Sequence, residues 1–75
     1  MSDRERILDY IRDHAPDRAH AVPTADISTA IYGDLYRHGK RSAIDKLLIL
    51  EKYDLVHAAE IYPGQPRRGK VWWLA

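Results

Sequence analysis

Apolar residues recur at helical spacing in three stretches of the chain, and alternating patterns replace them toward its end. Ile7, Leu8, Ile11 and Ala15 form the first stripe, with Tyr10 at its edge, and predict a helix. Ser2-Asp3-Arg4-Glu5 fits a capping box at its start: the Ser2 hydroxyl accepts from the Glu5 amide and Glu5 reaches back. Pro16 ends the helix, because the residue before a proline avoids helical angles. A one- or two-residue strand around Ala21-Val22 suits an edge position. Thr24 is then an N-cap for a second helix, Ala25 to Tyr32, with Ile27, Ala30 and Ile31 inward and Gly33 just past its end.

Asp34 to Gly39 reads as a connection, pinned to the core by Leu35 and Tyr36. The third helix runs from about Lys40 to Tyr53. Ala43, Leu47 and Leu50 make its stripe, with Ile44 beside it. Arg41, Asp45 and Lys52 point the opposite way, and Asp54 closes it. Leu48 and Ile49 flank the polar face. They either pack under neighbouring elements or form a partial contact surface. A strand-like run, Leu55 to Tyr62, precedes the loop Pro63-Gly-Gln-Pro-Arg-Arg-Gly69. The closing strand is Lys70 to Ala75. Trp72 and Trp73 fall on opposite faces of that strand, one toward the core and the other toward solvent or a partner. The pattern predicts one α+β domain over residues 1–75: three helices, a C-terminal two-stranded hairpin and room for a short third strand.

Charge sharpens this picture. Residues 1–34 carry four arginines against seven acids, and residues 35–75 carry eight Lys/Arg against four acids. The positive half therefore coincides with the third helix and the hairpin. Such polarity marks either an electrostatic footprint for nucleic acid or an unevenly charged, solvated surface. There is no cysteine, which removes disulfides and thiolate metal sites. No apolar run approaches the roughly 18 residues a membrane span needs, and the charged N-terminus is unlike a signal peptide. A soluble cytoplasmic protein is expected.

Enzyme chemistry finds little to stand on. His14, His20, His38 and His57 are scattered, without an i,i+4 pair or a neighbouring acid at a recognisable spacing. Ser28 and Ser42 lack a nucleophile elbow, and Gly64 and Gly69 read as turn residues. The expectation is no catalytic site, no metal, no cofactor and no evident small-molecule ligand.

Nucleic-acid binding accounts for more of the chain. Two short helices joined by a turn, the second with a cationic start, suit a major groove about 12 Å wide. Lys40, Arg41 and Ser42 would reach phosphates or base edges, with Arg41 the candidate for bidentate contact to guanine. Asp45 either accepts from a cytosine amino group or pairs with Arg41 one turn away. Arg37 and His38, in the turn, are candidate phosphate contacts. In the hairpin, Arg67, Arg68 and Lys70 would lie along the minor groove or its phosphates, with Gln65 near the tip.

The order helix, short strand, helix, helix, hairpin resembles the winged helix-turn-helix transcription regulators of bacteria, archaea and their viruses. The segment Ser42 to Val56, with Leu50-Glu51 followed by Asp54-Leu55-Val56, resembles their recurrent pattern of recognition helix, Leu-Glu and Gly-Leu-Val; Asp54 stands where glycine is usual. The resemblance implies a third helix that reads double-stranded DNA and a hairpin that serves as the wing. The first hypothesis is a repressor that works as a homodimer on a two-fold site, since a single module of this size buries only about 600–1,000 Å² on DNA. The Z-form nucleic-acid-binding winged helices share a proline-containing wing before a tryptophan. They carry Asn and Tyr where this chain has Ile44 and Leu48, which argues against Z-form recognition. The alternative is a winged helix used as a protein-interaction module, through Leu48, Ile49 and one tryptophan.

Overall fold

The computed structural model describes residues 2–33 and 36–75, with side chains given outside residues 36–39. Among the described residues are three α-helices, α1 (Asp3–His14), α2 (Thr24–Tyr32) and α3 (Tyr36–Lys52), and three strands, β1 (Val22–Pro23), β2 (Val56–Glu60) and β3 (Lys70–Leu74). The class is α+β, and the strands form one antiparallel sheet in the order β1-β3-β2.

The stripes of α1 and α3 meet as their spacing predicts, and α2 adds Ile27. Ile7, Ile11 and Ala15 from α1, Ile27 from α2, Ala43, Leu47 and Leu50 from α3, Val56 from β2 and Trp72 from β3 form a single buried cluster. Trp72 is its largest member and is 1% exposed. Burying a tryptophan removes roughly 150–250 Å² from water, on the order of 4–6 kcal/mol at about 25 cal/mol per Å². The helices are the outer layer and the sheet closes the core.

The start of α1 and the end of α3 have chemical causes. At α1 the Glu5 N–H donates to Ser2 Oγ at 3.2 Å. The return contact runs between side chains, with the Ser2 hydroxyl donating to Glu5 Oε1 at 3.3 Å. At the end of α3, Asp54 adopts φ 59°, the left-handed conformation that glycine usually supplies. Its N–H donates to the Glu51 carbonyl, and the Leu55 N–H donates to that of Leu50, both at 3.0 Å. These are the two hydrogen bonds of a Schellman closure, with aspartate in the special position.

Several sequence expectations are corrected. Thr24 is the first residue of α2, not its cap; Pro23 precedes it without a capping side chain. The inward face of α2 is Thr24, Ile27 and Ser28, with Ile31 half-buried. Ala30 is exposed, because the i, i+3, i+4, i+7 stripe starting at Thr24 leaves it on the other side. The short strand begins at Val22 rather than Ala21 and pairs Val22 with Trp72 and Pro23 with Val71. Proline is tolerated there because β1 is an edge strand. β2 stops at Glu60, and Ile61 and Tyr62 enter the turn. Helix α3 starts at Tyr36, about one turn earlier than its apolar stripe indicated. Leu35 and Asp34 lie outside the described residues, as does the side chain of Tyr36.

Trp73 takes the opposite face of β3 and is half-buried. The Arg18 guanidinium lies 5.4 Å from its ring centroid and the His57 ring 5.8 Å away. It is therefore covered by this chain's own side chains, not bare to solvent.

Candidate nucleic-acid interface

Helix α3 and the β2–β3 hairpin stand side by side, and the surface between them is a groove of about 300 Å³. Lys40, Ile44 and Leu48, spaced one turn apart on α3, line one side; Pro66, Arg67, Gly69 and Lys70 line the other, with Thr24 and Trp72. Two of its members fix each other. The Trp72 indole N–H donates to Thr24 Oγ1 at 2.8 Å, and the Thr24 hydroxyl donates to the Lys70 carbonyl at 3.4 Å. The start of α2 is thereby tied to β3. No buried side-chain N or O among the described residues lacks a partner.

The hairpin tip is built rather than loose. The Gly64 N–H donates to Glu60 Oε2 at 2.9 Å, and the Gln65 N–H donates to the Tyr62 carbonyl at 2.9 Å. Pro66 begins a short 3₁₀ turn, Pro66–Arg68, where its fixed φ suits the first position. Gly69 follows with φ 114°, and a Cβ there would come 3.3 Å from Ile61 Cδ1. Within this tip Arg68 stacks on Tyr62, its guanidinium 4.2 Å from the ring centroid, and donates to Gln65 Oε1 at 3.4 Å. Arg67 is exposed beside it.

The residues singled out from sequence thus divide. Lys40, Arg67 and Lys70 converge on the groove. Arg41 and Asp45 are exposed on α3, and Ser42 is half-buried. Arg68 and Gln65 contact each other and hold the tip. Arg37 and His38 fall on the first turn of α3 rather than in a connection, and their side chains lie outside the described residues. Lys70 is half-buried with Nζ 5.9 Å from the Trp72 ring centroid.

Ion pairing follows the charge asymmetry of the chain. Among the described residues the ion pairs are Asp3–Arg6, Asp9–Arg12 and Asp17–His20, all in the acidic N-terminal part. Arg41 and Asp45 are not among them, so the i,i+4 pairing open to them is not made. Lys40, Arg41, Arg67 and Lys70 likewise have no carboxylate within ion-pair distance among the described residues. Among the described residues no carboxylate lines the groove.

Sequence reasoning did not join the apolar members to this site. Ile44 read as lying beside the core stripe and Leu48 as either packed under a neighbour or part of a contact surface; both line the groove, with Leu48 44% exposed. The signal was their i,i+4 spacing from Lys40, which sets all three on one line.

A second hollow, of about 230 Å³, lies between α1 and the end of α3. Leu8, Ile49, Tyr53 and Leu55 line it beside Arg4 and Glu5. Ile49, Tyr53 and Leu55 are exposed, Tyr53 by 65%. Among the described residues no group of three His, Cys, Asp or Glu side chains could hold a metal ion, and no helix is long and apolar enough to cross a membrane.

Compared with known proteins, the chain matches no protein family, no characterised protein and no solved structure.

Proposed function

We propose that this chain is a winged helix-turn-helix domain that binds double-stranded DNA in a sequence-specific manner and regulates transcription, as a repressor. Helix α3 enters the major groove and the β2–β3 hairpin lies on the minor groove or its phosphates. The observation that carries this reading is the set of cations on α3 and the hairpin. Among the described residues, Lys40, Arg67 and Lys70 flank one groove that no carboxylate lines, while the ion pairs lie at residues 3–20. Cations without acidic partners can release counterions from a phosphate backbone; neutralised ones cannot. The succession of α1, β1, α2, α3 and a hairpin supports the same reading.

The domain acts as a homodimer on a near-palindromic site. A single module of this size buries only about 600–1,000 Å² on DNA, and a two-fold axis doubles its phosphate contacts. The surface assigned to that axis is the hollow lined by Leu8, Ile49, Tyr53 and Leu55. Arg4 and Glu5 at its edge are of opposite charge, so a two-fold can bring each to the other's copy. Trp73 is less suited, because Arg18 and His57 already cover it.

The same exposed apolar residues support a second reading, a protein-interaction module without DNA binding. Selection from random duplexes, followed by binding at two salt concentrations, decides between them. The DNA reading expects an enriched site and affinity that falls steeply with salt. No enrichment and a flat salt response would leave the interaction module. Light scattering coupled to size exclusion, with and without the selected duplex, tests the dimer; a one-to-one complex on an asymmetric site overturns it.

A further inference from the structure

We propose that the groove between α3 and the hairpin is a binding site for a small organic anion with an apolar body. Among the described residues, the uncharged polar side chain of its lining is already partnered. The Thr24 hydroxyl accepts from the Trp72 indole and donates to the Lys70 carbonyl, so its one proton is committed to the protein. What remains inside is apolar: Ile44, Leu48 and Trp72. Among the described residues the charged groups of the lining are cations, from Lys40, Arg67 and Lys70. Such a lining rejects a polar body, which would lose water without gaining hydrogen bonds. It rejects a cation by charge and accepts an anionic head beside an aromatic or aliphatic body. The Lys70 ammonium, 5.9 Å from the Trp72 ring centroid, fixes where head and body divide. The volume of about 300 Å³ is at the lower end for ligand pockets, enough for a fused two-ring acid and too small for a helix or a folded partner.

This site goes beyond the proposed function and does not need it. One consequence does rest on that reading: a ligand held by Lys40, Arg67 and Lys70 withdraws the same cations from phosphate, so an occupied groove competes with DNA.

The probe is 2-naphthoate, titrated into the full chain without DNA, with the uncharged 2-naphthalenemethanol in parallel. Chemical shifts of the Ile44 and Leu48 methyls and the Trp72 indole report the site. Saturable shifts at these three residues are expected, with the alcohol binding at least tenfold more weakly. Lys40→Gln and Arg67→Gln, both at exposed positions, should each weaken naphthoate several-fold and leave the alcohol unaffected. Ile44→Glu, which puts a carboxylate into the groove, should abolish naphthoate binding while the far-UV spectrum stays native. Equal affinity for acid and alcohol overturns the proposal, as do shifts centred on Leu8, Ile49 and Tyr53 or no saturation. A final arm adds naphthoate to a preformed complex with the selected duplex. Release of the duplex supports competition, and persistence of the complex at saturating naphthoate overturns that consequence alone. Absence of any duplex binding defeats the proposed function and leaves the anion site intact.

Discussion

The indole N–H of Trp72 donates to the hydroxyl of Thr24 across 2.8 Å, joining residues 48 positions apart at the buried edge of the groove. The contact sets where α2 begins relative to the central strand. Thr24→Val keeps the shape and removes the acceptor, stranding a buried donor. A loss of about 1–3 kcal/mol is expected, read as a lower urea midpoint, with Thr24→Ser close to the parent. A valine variant of unchanged midpoint would show that the indole finds another partner.

Asp54 holds a left-handed conformation at the end of α3. L-residues are disfavoured there by roughly 1–2 kcal/mol, aspartate less than most, and glycine carries no such cost. Asp54→Gly should stabilise the fold by about 0.5–1 kcal/mol, and Asp54→Val should destabilise it. Equal stability of the three proteins in urea would mean that the backbone relaxes around this position.

Arg41 is exposed on α3 and has no ion-pair partner among the described residues. If α3 reads base edges, Arg41→Ala weakens specific binding and relaxes preference at one base position by about 1–3 kcal/mol of discrimination. Repeating the duplex selection with the variant checks this; an unaltered preferred site counts against groove reading by α3.

The two hairpin arginines should behave differently. Arg67 is exposed on the rim, so Arg67→Ala should weaken binding to all duplexes alike and lower the salt slope by about one unit. Arg68 lies on Tyr62 and contacts Gln65, so Arg68→Ala should also loosen the tip. Faster amide exchange at Gln65 and Gly69 in the Arg68 variant alone is the distinguishing result.

Asp17 accepts from the His20 ring at 2.7 Å and from the His20 backbone N–H at 3.1 Å. The side-chain hydrogen bond from His20, with its charge adding to it, holds the Asp17 carboxyl below its ordinary value of 3.8. A depressed carboxyl stabilises the folded state above the unfolded-state value, and that contribution is lost as pH falls through the folded value. In an NMR titration of the carboxyl carbon, His20→Ala should move Asp17 upward. An identical titration curve would assign the shift to the backbone amides instead.

Much of this architecture is legible in residue spacing. Ile7, Ile11, Leu47 and Leu50 repeat at intervals that leave one face to bury, and Ser2 with Glu5 announces the first turn. What escaped has physical reasons. The first turn of α3, Tyr36-Arg37-His38-Gly39, lacks an apolar stripe and contains a glycine, so its helicity is invisible to periodicity. Thr24 looks like a cap because threonine often is one; its hydroxyl instead serves an indole far along the chain, a tertiary pairing no local window contains. The candidate interface divides in the same way. Its cations stand out as charge, whereas its apolar lining joins one line on α3 to the hairpin and β3, and only folding brings these together.

Because β3 is the middle strand, β1 and β2 both depend on the segment synthesised last among them. While the chain emerges from a ribosome, Val22-Pro23 and Val56–Glu60 have no strand to pair with until Lys70–Leu74 appears. Trp72, the largest side chain of the core, arrives with that same strand. The helices can assemble early, but the sheet and the Trp72 side of the core and groove wait for β3. A nascent chain halted before Lys70 would present two unpaired strand edges and an open apolar interior, the features that chaperones recognise and that favour association between chains.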